Sequence, residues 1–483
     1  MNPVKDLEDI YRDAVRAVDP AGLIQSRVKK DGRTLSILGP DTKISEDLSR
    51  YKQVIVLGIG KASARMAAAM ESILEGEISA GFVITKYGHG CGAPPAGAGG
   101  SFPKRDIPRL AESIQPPAGA GGFLQRGKLR KIQIMEAGHP VPDINSLEGA
   151  RILSHMADAA DVNTLIINLI SGGGSSLLCL PADGISLEDK RQTTKVLLAS
   201  GADIDEMNCI RKHISKVKGG GLAKIASPAR LINLILSDVI GDSIDTIASG
   251  ITAPDQTTFQ DALAIVRKYA LEDKLPQTVR DHLAQGGEGN IPETPKAGDP
   301  VFRNTVNIIL GNNTLACDVA RRTAQRLGYD ARILSTTVAG EASGAGSYFA
   351  QLAKVIDSGE SGISKPAAII AGGETTVTIR GKGKGGRNQE MALAFALELH
   401  RICPESPNIF FLSAGTDGSD GPTDAAGAFV KPALMEKMKA ISAQAEAFLM
   451  ENDSYHFFSN TGDLFKTGPT YTNVCDVQIL LVI

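Results

Sequence analysis

The chain has 483 residues, more than one hydrophobic core ordinarily organises, so two domains are expected. Its formal net charge of -3 excludes a general electrostatic attraction to nucleic acid or an anionic membrane, which makes any anion site a local one. With 52 glycines and no tryptophan, the composition favours loops over aromatic stacking platforms.

In chain order, Leu7, Ile10, Ala14 and Val18 recur at helical spacing in an acidic opening stretch, which predicts a helix rather than a secretory leader. No apolar run reaches ~18 residues, so no membrane span is expected. The six cysteines form no C-x-x-C pair, which suits a reducing, cytoplasmic compartment. Short apolar runs then alternate with small-residue loops and helical patterns in an α/β rhythm. Strands are expected at residues 53–57, 81–86, 164–170, 231–236, 307–310, 367–370 and 408–412. In open parallel sheets the loops after the strands form the ligand crevice, so these loops are the first place to look for chemistry.

The stretch GGEGNIPETPKAGDP, residues 286–300, reads as a surface connection and places the domain break between 1–290 and 298–483. PPAGAGG occurs at residues 94–100 and again at 116–122. Such Gly and Pro density cannot offset chain entropy, so residues 93–126 are expected to be a disordered, exposed insertion.

GIGKAS, residues 58–63, follows a strand and opens a helix, the context for phosphate binding through Gly58 and Gly60, with Lys61 aimed at an anion. It departs from a dinucleotide fingerprint: Ser63 replaces the third glycine, and the next strand ends in Lys86 rather than an acid. SGGGSSLL supplies Ser171, Gly172, Gly173, Gly174 and Ser175 to an anion-binding loop. Ser175 lacks the complete G-x-S-x-G frame of a nucleophile. EAGHPVPD carries His139 and Asp143 on a rigid loop, and RKHISKVKGGGLAK gathers Arg211, Lys212, His213, Lys216, Lys218 and Lys224. Of these cations Lys216, ahead of the glycine turn, is expected to face a ligand.

Asp238, Asp417 and Asp420 lie at strand-end loops and suit magnesium, which needs few protein carboxylates; each also suits an Asx turn. RGKGKGGRNQEM has no Walker spacing. It reads as a flexible glycine loop that delivers Gly386, Arg387 and Asn388 to a helix start, where a guanidinium fork and the helix dipole favour phosphate. Lys382 and Lys384 are the lesser cations of the stretch.

As a set, VIVLGIGKAS, EAGHPVPD, LISGGGSSLL, HISKVKGGGLA, LSDVIGD, GGETTV, GGRNQEMAL, AGTDGSDGPTDAAGA and TGPTYTNVCDVQILLV resemble the glycerate 2-kinase family, whose C-terminal part is the multi-organism-fragment leucine-rich domain. The resemblance runs along nearly the whole chain except residues 93–126. It implies two α/β domains, the N-terminal one Rossmann-like with a mostly parallel sheet and the smaller C-terminal one with a mixed sheet, and an active site in the cleft. It further implies ATP and Mg as cofactors and phosphorylation of D-glycerate at its 2-hydroxyl to 2-phosphoglycerate. In the family the lysine of G-I-G-K and the arginine of G-G-R-N-Q-E are the proposed catalytic pair, which places those roles on Lys61 and Arg387. Members also carry the label hydroxypyruvate reductase, so an NAD(P)H-dependent reductase is the rival reading and an idle sugar-acid binding protein the third. The partners so implied are D-glycerate and ATP, with neither nucleic acid nor membrane, and a homo-oligomer is allowed for.

Overall fold

Thr164–Ile170 is buried at every one of its seven positions, the signature of a central strand in a sheet covered on both faces. The computed structural model describes residues 2–40, 42–90, 124–125, 129–404 and 408–483. The chain folds into two compact units: one made of Leu23–Leu236 and Asp242–Leu310, the other of Met1–Gly22, Ser237–Gly241 and Gly311–Ile483. The duplicated PPAGAGG and the segment between its copies lie outside the described residues.

In the first unit β1 (Val28–Asp31), β2 (Thr34–Leu38) and β3 (Lys43–Asp47) form a small antiparallel sheet. The larger sheet uses β4 (Gln53–Ile59), β5 (Ala80–Lys86), β6 (Leu124–Gln125), β7 (Ile132–Ala137), β8 (Thr164–Ile170), β9 (Arg230–Leu236) and β10 (Thr305–Gly311). Its order is β10-β9-β8-β4-β5-β7-β6. β4 pairs in parallel with both β5 and β8, β5 with β7, and β8 with β9, while β6 runs antiparallel to β7. From β4 the chain winds outward through β5 and β7, then returns to the other side of β4 as β8. The β4/β8 boundary is therefore the switch point at which a doubly wound sheet opens a crevice, and it is bordered by the loops GIGKAS and SGGGSS.

The second unit has β11 (Asp330–Val338), β12 (Ala367–Gly373), β13 (Ile409–Gly415), β14 (Gly427–Val430), β15 (Leu464–Phe465) and β16 (Asp476–Val482) in the order β11-β12-β16-β13-β14-β15. β11 and β12 are parallel, and β16 is antiparallel to both β12 and β13, so the sheet is mixed. Because β12 and β13 flank an antiparallel strand they point the same way. Gly373 and Gly415, at their carboxyl ends, both lie in register with Asp476 at the start of β16. One sheet edge thus collects the loops after two strands and the first residue of a third.

The helix Pro3–Ala17 buries Leu7, Ile10, Tyr11 and Ala14, and the Tyr11 hydroxyl donates to the Gly415 carbonyl at 2.6 Å. That burial is why the chain start belongs to the second unit, whereas composition alone had assigned residues 1–290 to one domain. Likewise β10 adds to the first sheet, so that unit extends past the connection at 286–300.

The core of the second unit is built on the helix Arg387–Ile402, in which Phe395 stacks on Phe411 of β13 with centroids 4.3 Å apart. Both rings are fully buried. Phe395→Ala should cost about 3–5 kcal/mol of that unit's stability, seen as an earlier transition in chemical denaturation.

Candidate functional site

In the first unit the loops after β4 and β8 are tied to each other. The Lys61 amide donates to the Gly172 carbonyl at 2.9 Å, and the Ala62 amide donates to Ser171 Oγ at 3.0 Å. Gly60 has φ +122, and a Cβ there would lie 2.3 Å from both the Ser171 carbonyl oxygen and Oγ. No side chain fits, so Gly60 serves close approach of two loops at the switch point. Gly58 likewise packs against Val83 of β5. The Lys61 and Ala62 amides thus have protein partners, and so does the amide of Gly60, expected to bind phosphate, which donates to the Ile84 carbonyl at 3.1 Å.

His139 joins this cluster. A Cβ on Gly173 would lie 2.9 Å from His139 Nε2 and 3.5 Å from Lys61 Cε, so loop, imidazole and ammonium stem converge. Burial, with Lys61, Lys86 and His89 nearby, pushes His139 down to about 4, so it is neutral at pH 7. Asp143, its neighbour in EAGHPVPD, instead caps the helix Ile144–Asp158 through the Ser146 amide at 2.9 Å and accepts from the Tyr87 hydroxyl at 2.6 Å.

The basic run of residues 211–224 is distributed by burial. Lys216, singled out in the sequence, pairs with Asp183 at 2.5 Å on a half-exposed side chain. Lys212 is buried against Asp255 at 3.1 Å. Lys218 is the cation brought to SGGGSS: its Nζ donates to the Ser175 carbonyl at 2.7 Å and to Ser175 Oγ at 2.8 Å. Ser175 Oγ also meets Ser249 Oγ at 2.8 Å.

In the second unit Arg387 opens its helix and is held at the collecting sheet edge. Nε and Nη2 bond the two carboxylate oxygens of Asp476 at 2.5 and 2.9 Å, and Nη1 bonds Glu374 at 2.5 Å. Asp476 is fully buried and Arg387 about one-third exposed. Burial opposes the guanidinium charge, but Asp476 and Glu374 outweigh it and raise the pKa of Arg387, which stays cationic with part of its surface open. Neither acid was singled out in the sequence. Asp476 could have been suspected as the one charge at the head of the apolar run VQILLV.

Asp420 is nearly inaccessible and caps the same helix. Its oxygens accept from the Asn388 amide at 3.0 Å, the Gln389 amide at 2.8 Å, and the side chains of Asn388 and Gln389 at 3.2 and 2.9 Å. Burial pushes its carboxyl up to about 6 against these donors. Asn388, expected to touch phosphate, is buried and also accepts from Ser413 Oγ at 2.6 Å. A Cβ on Gly386 would lie 2.3 Å from the Asp420 carboxylate, so this glycine exists for the cap.

The loop before it, expected to be flexible, lies flush on Glu451–Ser454. Alternate glycines Gly381, Gly383 and Gly385 have no room for a Cβ. The Arg380 and Lys384 amides donate to Asn452 and Asp453 at 2.7 and 2.8 Å. Lys384 Nζ sits 4.3 Å from the Tyr455 ring centroid, a cation–π contact rather than a phosphate arm.

Among the described residues no group of three or more His, Cys, Asp or Glu could hold a metal ion. Asp417 forms an Asx turn with the Ser419 amide at 3.0 Å, and the Asp238 carbonyl accepts from Cys475 Sγ at 3.1 Å. Both oxygens of Asp420 are spent on the helix start.

Two family models match the chain: a domain of unknown function, DUF4147, over residues 6–284, and the MOFRL family over residues 367–476. Among curated proteins it is 38% identical to glycerate 2-kinase of Pyrococcus horikoshii, covering 97% of this chain and 95% of the relative. It is 37% identical to D-glycerate 2-kinase of Thermotoga maritima, covering 96% and 100%. The crystal structure of glycerate kinase from Thermotoga maritima superposes with a TM-score of 0.78 at 36% identity over 99% of both chains.

Two outcomes test this geometry. Asp476→Ala leaves Arg387 without its main partner and should destabilise the second unit by the low end of about 3–5 kcal/mol, since the guanidinium keeps some contact with water. By NMR, His139 should titrate near 4, well below its unfolded value of 6.5. The stability it contributes is then complete above pH 6.5 and lost as pH falls toward 4.

Proposed function

The chain belongs to the glycerate 2-kinase family, and on that premise we propose that it transfers the γ-phosphoryl group of ATP to the 2-hydroxyl of D-glycerate, giving 2-phosphoglycerate and ADP. The observation that carries the reading is Arg387. An arginine fixed by two carboxylates yet partly open offers a preorganised cation for the equatorial oxygens of a transferring phosphoryl group. Such positioning costs nothing at the moment of reaction, because the side chain is already ordered. Lys61 is the second cation, carried on a backbone locked by Gly60, Ser171 and Gly172. Neutral His139 beside it adds no competing charge and can accept or donate one hydrogen bond.

Magnesium supplies charge neutralisation on the β- and γ-phosphates when it arrives with ATP, with Asp238 and Asp417 the carboxylates that would hold it or its waters. The reductase reading is weaker. GIGKAS uses Gly60 to pack against Ser171, has no third glycine, and is followed by a strand ending in Lys86 rather than an acid for a ribose hydroxyl.

A coupled assay separates the readings. With D-glycerate, ATP and magnesium the protein should release ADP, and with hydroxypyruvate and NADH it should leave NADH unchanged. NADH loss without ADP formation supports the reductase, and neither product leaves a binding protein. In the same assay Lys61→Ala should lower kcat by about 10² or more with folding intact; near-normal turnover removes Lys61 from the reaction.

A further inference from the structure

The transfer step leaves three cations of the first unit unused. Lys218, 3% exposed, spends two donors on Ser175. Lys190, 6% exposed on the helix Leu187–Ser200, has an Nζ with no hydrogen-bond partner among the described residues. Arg211 is half-buried on the helix Ile204–His213, and burial lowers its basicity. Burial lowers both lysines as well. Lys190 and Arg211 then lower Lys218 further, Arg211 lowers Lys190, and among the described residues the Cys179 thiol is the one acidic group acting on either.

Lys212, in the same basic run and equally buried, shows the ordinary solution, an aspartate at 3.1 Å. Among the described residues Lys190 and Lys218 have none. Gathering like charges in a low-dielectric region without a carboxylate is unfavourable unless an anion completes the cluster. The backbone is also bent to serve the place: Ala248 and Ser249 adopt φ +51 and +59, and that turn sets Ser249 Oγ against Ser175 Oγ at 2.8 Å.

We propose that Lys190, Arg211 and Lys218, with the Ser175 hydroxyl, form the binding site for the carboxylate of the small hydroxy-acid substrate. This rests on the glycerate reading above. In a 2-hydroxy acid the carboxylate carbon is bonded directly to the carbon bearing the reacting hydroxyl. Ser175 is two residues from Gly173, whose added Cβ would lie 3.5 Å from Lys61 Cε. A carboxylate at Ser175 would therefore lie on the same loop that meets the Lys61 stem. The unspent donors of Lys190 and the fork of Arg211 match a two-oxygen anion. Because the anion raises the basicity of the lysines it meets, binding takes up protons.

The test is calorimetric titration of D-glycerate, without ATP, into the full chain and its Lys190→Met variant, in phosphate-free buffers of differing ionisation enthalpy. The wild type should bind with net proton uptake. Lys190→Met should bind about tenfold or more weakly with reduced uptake, and should melt no lower than wild type, since a buried amine without a hydrogen-bond partner has been removed. Arg211→Gln, at a half-exposed position, should weaken binding in the same direction if Lys190→Met does not fold. Glyceramide, which lacks the carboxylate charge, should not bind measurably. D-glycerate binding unchanged in both variants overturns the proposal, as does inorganic phosphate binding with the same variant dependence while D-glycerate does not. Because turnover is not read, an absence of ADP formation with glycerate binding intact sinks the kinase reading alone.

Discussion

A buried carboxylate at the head of a strand needs a compensating partner, and Asp476 finds Arg387. Around that pair the second unit is arranged. β16 begins at Asp476 between the carboxyl ends of β12 and β13, so the acid sits where two strands run out and their loops begin. The arginine comes from the first residue of the most buried helix of the unit, and Glu374 comes from the residue after β12. Sheet register, helix start and loop position are thereby fixed against one another by one bidentate contact. Its net contribution to stability is modest, because both groups lose hydration. Its contribution to geometry is large, since a guanidinium with both faces of its fork engaged has few rotamers left.

Asp420 performs the complementary task. Four N–H donors around one carboxylate satisfy the start of the same helix, and Gly386 is there because the carboxylate occupies the space a side chain would take. One of the three acids read as metal ligands is therefore a cap that holds the arginine's helix in place. The first unit reaches a similar end by other means: backbone hydrogen bonds between the loops after β4 and β8, permitted by Gly60, hold Lys61 at the switch point of a doubly wound sheet.

Much of this was legible in the residues. The runs ending in GIGKAS, SGGGSS, GNN, AGGETT and SAGTDG are strands, because continuous apolar stretches bounded by small residues have few other stable forms. The helical spacing of Leu7, Ile10, Ala14 and Val18 is likewise fully buried. What was not legible depends on contacts far apart in the chain. The antiparallel sheet at residues 28–47 is mostly polar and half-exposed, so its alternation is faint. Lys218 and Lys216 look alike in a basic run, and only the fold decides that one reaches Ser175 and the other Asp183. Glycine-rich segments read as flexible, but at Gly381, Gly383 and Gly385 every second residue is glycine because the chain lies against Glu451–Ser454. Composition cannot distinguish freedom from close packing.

On the proposed kinase reading, Arg387 acts through a fork fixed in advance by Asp476 and Glu374, not through charge alone. The most direct measurement is kcat and the KM for ATP of Arg387→Lys, which keeps the charge and loses the bidentate geometry. The account predicts a kcat lower by about 10² or more with a circular dichroism spectrum like the wild type's. A lysine variant that turns over at the wild-type rate would contradict it.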